Sequence, residues 1–147
     1  MNYLYDGDRV GAEQEISFPE HFPDLNAQWQ CVVGGAVHDV YKCLDVIIHG
    51  LDYRSGSALV ISYDDDDYLN FVILSDVIVY KSNNYFIVNK TQPVRFETHI
   101  LSYVIARTEE YVVISFYDLK FKWPLSVYSY ANEYVIQNSF SHTCQLF

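Results

Sequence analysis

Runs of β-branched and aromatic residues occupy the middle of the chain, between residues 57 and 90. Residues 57–63 and 68–74 are two such runs. Four consecutive aspartates separate them: Asp64, Asp65, Asp66 and Asp67. Aspartate is a poor strand former and a common turn residue. The pattern therefore predicts two antiparallel strands joined by an acidic hairpin tip.

The same pattern continues beyond this hairpin. Ser75 and Asp76 interrupt the apolar residues, a strand is predicted at 77–81, a turn at 82–84 and a further strand at 85–89. Residues 91–93 end that strand, since proline cannot donate to a ladder of hydrogen bonds. Turns this short cannot hold a parallel crossover, so we predict an antiparallel meander.

Apolar residues before the meander recur at a spacing of three and four, which is typical of an amphipathic helix. Gly34 and Gly35 interrupt the pattern, because two glycines inside a helix cost about 2 kcal/mol relative to alanine. The alternative is a hairpin turn at this pair, between strands at 30–33 and 36–40. We predict a main helix over 36–49 that Gly50 ends, and another over 25–33 with Asp24 as N-cap.

The two ends of the chain contain shorter signals. Strands are predicted at 3–5 and 13–18, with a turn region at 7–11 between them. Residues 104–107 and 111–117 flank Thr108, Glu109 and Glu110 as a hairpin. Ser126 is suited to cap a second, C-terminal helix over 127–138.

These elements predict an α+β fold, in which an antiparallel β-meander sheet packs against one main helix. The 147 residues correspond to one domain, 1–147, that is large enough to bury a core. The three cysteines form no CxxC pair, and no apolar segment resembles a signal peptide. The nearly apolar run at 71–80 is too short to cross a membrane. We therefore expect a cytoplasmic protein.

Charge is distributed unevenly along the chain. The net charge is −10, and residues 1–67 contain 13 acidic side chains against 3 basic ones. Residues 68–147 contain 6 of each. An acidic field repels nucleic acid and attracts a basic partner, although acidic surfaces also serve solubility.

Sequence motifs for catalysis or cofactor binding are missing from the chain. Its six glycines fit neither a phosphate-binding loop nor a dinucleotide fingerprint, and no serine has the glycine framing of a nucleophile elbow. His38 and Cys43 would lie about 140° apart around a helix, so they would not share a metal. We predict no catalytic residue, no cofactor and no metal. A small enzyme with dispersed Asp and His residues remains an alternative.

The order of several features resembles a known family. A strand with the sequence EQEISF precedes a helical pattern that ends in glycine, and the strand SALVIS follows directly. The residues that carry the likeness are Tyr41, Leu44, Gly50, Ser57, Ala58 and Leu59, together with the segments 105–108 and 113–117. In this order the chain resembles the immunity proteins of bacterial contact-dependent growth inhibition systems.

This resemblance implies a cytoplasmic, non-enzymatic protein that binds the C-terminal domain of one cognate toxin, often a nuclease, and neutralises it. Toxin nucleases are typically basic, which agrees with the acidic charge of this chain. An adaptor domain that binds some other basic protein is a further alternative. Direct binding to nucleic acid or to a membrane is not expected.

The acidic hairpin tip, Asp64 to Asp67, is the predicted partner-binding surface. Tyr63 and Tyr68 flank it, and Asp52 and Tyr53 are candidate neighbours. Adjacent carboxylates repel one another, and a basic partner would relieve that repulsion. The alternative is that the tip is a solvated turn and the partner binds another face.

Overall fold

The computed structural model describes residues 9–10, 12–34, 38–63, 69–99, 101–130 and 133–137. Within these ranges the helices are α1 (Phe18–His21) and α2 (Asn26–Val33), with 3₁₀ turns at Pro23–Leu25 and Phe116–Asp118. The strands are β1 (Arg9–Val10), β2 (Gln14–Ile16), β3 (Val40–Cys43), β4 (Asp45–Ile48), β5 (Leu51–Arg54), β6 (Ala58–Tyr63), β7 (Leu69–Tyr80), β8 (Asn83–Glu97), β9 (Ser102–Ser115), β10 (Phe121–Leu125), β11 (Val127–Tyr130) and β12 (Glu133–Gln137).

The strands form two antiparallel sheets, which agrees with the predicted α+β fold. The large sheet has the order β10-β6-β7-β8-β9-β12-β11, and β3 pairs with β7 and with β2. A small sheet has the order β1-β4-β5. Throughout the described ranges, these strands pair in antiparallel orientation. The central hairpins β6-β7 and β7-β8 confirm the predicted meander.

The large sheet is rolled, because its two end strands are consecutive in the chain. Leu125 in β10 pairs with Ala58, and Val127 in β11 pairs with Ile136. A chain that advances by two residues spans at most about 7 Å. Opposite ends of the sheet therefore meet near Ser126. The rolled sheet encloses one apolar cluster: Ala58, Val60, Phe71, Ile73, Ile105, Leu125 and Ile136.

A β-bulge in β7 reverses the alternation of side chains between the two faces of the sheet. Val72 and Leu74 belong to a second apolar cluster, and Val77 and Val79 belong to the same one. Side chains alternate with a period of two, so the odd spacing from Leu74 to Val77 requires an extra residue. The pairing with β8 shows that shift between Leu74 and Asp76. The predicted break at Ser75 and Asp76 is thus a bulge inside one long strand.

A third apolar cluster lies under the helices. Trp29 of α2 is fully buried, and it stacks on Phe18 with ring centroids 4.5 Å apart. Gly34 ends α2 in the left-handed conformation with φ 75°, and its N–H donates to the Gln30 carbonyl at 2.8 Å. The helix predicted over 25–33 is confirmed, with a start one residue later. Its N-cap is Leu25, so the role expected for Asp24 was wrong.

The main helix predicted over 36–49 is contradicted. The described part of this segment forms β3 and β4, which pair with neighbouring strands, and residues 35–37 lie outside the described ranges. Val40, Cys43, Val46 and Ile48 are buried, whereas Leu44 is 58% exposed. Valine and isoleucine favour strands, and β2 and β7 satisfy the backbone of β3 on both sides. Tertiary pairing therefore overrides the helical spacing.

The second helix, predicted over 127–138, is also contradicted. Residues 127–130 and 133–137 form the hairpin β11-β12, in which Tyr130 pairs with Glu133, and β12 pairs with β9. Tyrosine, valine and isoleucine dominate this segment and favour strands over helix. An isolated helix of this length is marginal, whereas β9 offers a free edge for pairing.

Two strands are longer than predicted, and one turn is shifted. β8 continues through Pro93, which the prediction took as its end, and β9 continues through residues 108–110 where a hairpin turn was expected. The β7-β8 turn lies at Lys81 and Ser82, both with positive φ, and not at 82–84. The strand predicted at 13–18 is confirmed only at Gln14–Ile16, since Phe18 already begins α1. Residues 9–10 form a strand inside the predicted turn region, and 3–5 lie outside the described ranges.

Candidate functional site

A groove opens between the helical segment 18–33 and the bulged parts of β7 and β9. We call it the bulge groove, and its volume is about 500 Å³. Its lining residues are His21, Phe22, Pro23, Asp24, Leu25, Gln28, Ser75, Asp76, Ile87, Glu109, Glu110 and Tyr111. Bulges redirect side chains and are frequent beside functional sites. The bulge groove is therefore a candidate site.

The bulge in β9 exposes two carboxylates at the groove. One residue of β8, Lys90, faces three residues of β9, because Asn89 pairs with Tyr111 and Thr91 pairs with Arg107. The extra residues bring Glu109 and Glu110 to the lining. Residues 108–110, which were predicted to form a turn, are thus a bulge that forms one wall of the groove.

A buried asparagine holds this bulge in place. The Asn89 side chain is 1% exposed, and its amide nitrogen donates to the carbonyls of Thr108 at 2.8 Å and Glu110 at 3.0 Å. Arg107 Nε donates to Asn89 Oδ1 at 3.1 Å. The Asn89 amide thereby supplies the hydrogen bonds that the interrupted ladder lacks.

Gln28 links the opposite wall to the sheet. Its side-chain nitrogen donates to the Tyr111 carbonyl at 3.3 Å, and its oxygen accepts from the Val113 N–H at 3.0 Å. A side-chain amide here takes the place of a peptide group on a neighbouring strand. It caps part of the β9 edge, which would otherwise be open to pairing.

Carboxylates dominate the charge of the groove. Asp76 lies 3.7 Å from Lys42 Nζ and accepts from Ser75 Oγ at 3.0 Å. Glu110 lies 3.5 Å from Lys90 Nζ. Asp24 and Glu109 are exposed, and within the described ranges no basic side chain lies in ion-pair distance of either. The groove thus presents two carboxylates that a basic ligand can reach.

The structure describes the strands on both sides of the predicted acidic tip but not the tip itself. Tyr63 pairs with Leu69 at the end of the β6-β7 hairpin, which confirms that the flanking strands are antiparallel neighbours. Asp64, Asp65, Asp66, Asp67 and Tyr68 lie outside the described residues, as does the side chain of Tyr63. Their part in binding stays a prediction.

Asp52 and Tyr53, the candidate neighbours of the tip, lie on β5. Asp52 is half-buried and accepts from Arg54 Nε at 2.6 Å. Tyr53 is fully buried against Phe86 and Phe116, and its hydroxyl donates to the Lys122 carbonyl. Burial raises the pKa of this hydroxyl above its ordinary value. The expectation that Tyr53 contributes to a binding surface was wrong, since its ring belongs to the core.

The two described cysteines differ in their surroundings. Cys43 is buried beside the Val77 carbonyl, whereas Cys31 is exposed on α2. Burial raises the pKa of the Cys43 thiol to about 12, and Glu13, Asp45 and Asp76 add to the shift. Cys43 is therefore a protonated, apolar core residue at neutral pH. Across the described ranges, no three His, Cys, Asp or Glu side chains are grouped to hold a metal ion.

A second cavity, of about 450 Å³, lies beside the ends of β8 and β12. Arg95 lines it and forms two hydrogen bonds to Glu133, at 2.8 and 2.7 Å, and one to Glu97. The charge of Arg95 is thus neutralised within the chain. This cavity offers a ligand less free charge than the bulge groove does.

Sequence reasoning missed the bulge groove. It treated Asp76 as a strand break, Glu109 and Glu110 as a turn, and Asp24 as a helix cap. Their shared signal was an acidic interruption inside or beside apolar runs. Only the antiparallel packing of β7, β8 and β9 under the helical segment brings these positions together.

Fold and site together define an α+β protein with a rolled antiparallel sheet and an acidic surface groove. No protein family, curated protein or solved structure matches the chain. Among its described residues, no helix has the length and apolar character needed to cross a membrane.

Proposed function

We propose that this protein binds a basic protein and neutralises it, as the immunity proteins of contact-dependent growth inhibition systems do. The observation that carries the proposal is the bulge groove, where Asp24 and Glu109 have no basic partner in the described ranges. The excess of acidic residues in 1–67 supports it. Such a surface favours fast, salt-sensitive association with a basic partner.

The proposed partner is the C-terminal domain of a toxin encoded next to this protein. A basic nuclease domain uses its positive surface to hold phosphates, so an acidic protein that covers that surface competes with nucleic acid. Inhibition then requires no chemistry by this chain. The proposed place of action is the cytoplasm, where such a toxin meets its substrate.

Co-expression with the neighbouring toxin domain tests this function. We expect the two proteins to co-purify as a stoichiometric complex, and cells that express the toxin domain to survive only when this protein is present. The same cells with an unrelated acidic protein of similar charge are the control. Cell death despite co-expression, or failure of the two purified proteins to associate at low salt, would contradict the proposal.

The acidic tip is tested separately. Replacement of Asp64 to Asp67 by asparagine should slow association with the toxin domain at low salt and flatten its salt dependence, because long-range attraction acts on the encounter. The Tyr68→Ala variant should instead raise the dissociation rate. Stopped-flow measurements at low and high salt distinguish the two effects. Unchanged association rates of the four-asparagine variant at both salt concentrations would remove the tip from the interface.

A further inference from the structure

The bulge groove combines two surfaces that suit one type of side chain. Leu25 and Ile87 are buried in its floor, and Phe22 is half-buried beside them. Asp24 and Glu109 are exposed in the same lining. Arginine and lysine carry an apolar stem and a charged head. Their stems can pack on the floor while their heads reach the carboxylates.

We infer that the bulge groove receives an arginine side chain from an extended basic segment of the partner protein. The inference rests on the proposed function and specifies where the partner is held. Tyr111 is 40% exposed in the same lining, and an aromatic ring attracts a cation. A guanidinium stacks on aromatic rings and forms bidentate hydrogen bonds with carboxylates, and a lysine ammonium does neither. Arginine is therefore favoured over lysine.

Charge complementarity identifies the occupant as a segment of a basic protein. Nucleic acid is repelled by carboxylates. A second copy of this chain carries the same net charge of −10, so it supplies few cations. A basic protein segment provides both the charges and the apolar stems that the groove can accommodate.

The groove is already organised for binding. Gln28 joins the helical wall to β9 with two hydrogen bonds, and Asn89 holds the bulge with two more to the carbonyls of Thr108 and Glu110. Binding therefore needs little ordering of the chain, and a smaller entropic cost opposes it.

Peptide titration followed by NMR tests the inference. The probe is an acetylated and amidated peptide, Gly-Arg-Leu-Arg-Gly, and the control peptide has citrulline in both arginine positions. We expect the arginine peptide to shift the backbone amides of Leu25, Ile87 and Tyr111. Equal shifts with the citrulline peptide, or shifts confined to other parts of the protein, would overturn the inference.

Matched charge variants locate the site. Asp24→Asn combined with Glu109→Gln should weaken peptide binding about fivefold, because two exposed ion pairs are lost. Glu15→Gln combined with Asp39→Asn removes the same charge from exposed positions outside the groove and should weaken it less than about twofold. Equal weakening by the two double variants would mean that only net charge matters, and would overturn the inference. If the groove double variant does not fold by circular dichroism, Glu109→Gln alone replaces it.

Binding and protection measurements with the toxin domain distinguish failure of this inference from failure of the proposed function. A complex of unchanged affinity in the folded groove variant overturns the inference and leaves the function intact. Peptide binding in the groove, combined with no protection against the toxin, overturns the function and leaves the groove as a site for basic segments.

Discussion

At the scale of single residues, one buried polar side chain decides the shape of the bulge groove. Asn89 satisfies two β9 carbonyls, and the Thr108 hydroxyl donates to the Lys90 carbonyl at 2.8 Å. An apolar residue at position 89 could not hold three residues of β9 opposite one of β8. Burial of this polar side chain is tolerated because both its amide nitrogen and its oxygen have hydrogen-bond partners.

Asn89→Ala should destabilise the protein by about 2 to 4 kcal/mol, since two carbonyls lose their donor and each unsatisfied group costs about 1 to 3 kcal/mol. Asn70→Ala is the control, because Asn70 is exposed and its side-chain nitrogen donates to the exposed Ser62 Oγ at 3.1 Å. It should change stability by less than about 0.5 kcal/mol. Urea denaturation measures both. Similar values for the two variants would show that the Asn89 contacts do not hold the bulge.

Arg95 and Glu133 give the protein a pH-dependent contact. The hydrogen bonds from Arg95 hold the pKa of Glu133 below its ordinary value. A folded pKa below the unfolded one means that the stabilisation is complete above the unfolded pKa of about 4.3 and is lost as the pH falls through the folded pKa.

Glu133→Gln should therefore lower the free energy of unfolding at pH 7, and the difference from the wild type should vanish in strong acid. Denaturation curves between pH 7 and pH 2 check this. A difference that stays constant over the whole pH range would show that the ionised Glu133 contributes nothing.

At the scale of elements, β3 and β4 show how pairing overrides periodicity. Apolar spacing predicted a helix over 36–49 with Leu44, Ile47 and Ile48 on its apolar face. In the structure Leu44 falls between the two strands and is exposed, while Ile48 is buried in β4. Helical spacing and two short strands can share the same apolar positions, so periodicity alone cannot distinguish them.

Ile48→Ala should cost about 2 to 5 kcal/mol, because it removes buried methyl groups and leaves a cavity. Leu44→Ala should cost less than about 0.5 kcal/mol, since its side chain is largely in water. Chemical denaturation of both variants distinguishes strand from helix. Equal and large losses at the two positions would favour the helix.

At the scale of the whole molecule, the long strands join three apolar clusters into one structure. β7 supplies Phe71 to the rolled-sheet cluster, Val72 to the second cluster and Ile78 to the cluster under the helices. β9 also reaches all three, with Ile105, Val112 and Val113. Loss of either strand removes packing from every cluster, so the three should unfold together.

Urea denaturation should therefore give one transition. In a Trp123→Phe variant, fluorescence reports the fully buried Trp29 under the helices, and far-UV circular dichroism reports the strands. The two midpoints should coincide, as two-state unfolding requires. A fluorescence midpoint well below the circular dichroism midpoint would show that the helical segment unfolds separately.

The sequence by itself determined the meander and the uneven charge, and its apolar spacing favoured a helix at Asn26–Val33 over the alternative of a strand. Each depends on local chemistry: β-branched residues favour strands, polar turn residues such as Ser82 separate the apolar runs, and Gly34 accepts the left-handed conformation that ends a helix. Such signals act within a few residues, so they can be recognised without knowledge of the fold.

Only the tertiary structure decided that the described segments within 40–48 and 127–137 form strands, that Tyr53 is buried, and that the bulge groove assembles. Whether a short apolar run becomes helix or strand depends on whether a neighbouring strand is free to pair with it, as β7 is for β3 and β9 is for β12. Likewise, Asp24, Asp76 and Glu109 lie far apart in the chain. They line one groove because two bulges and a packed helical segment bring them together.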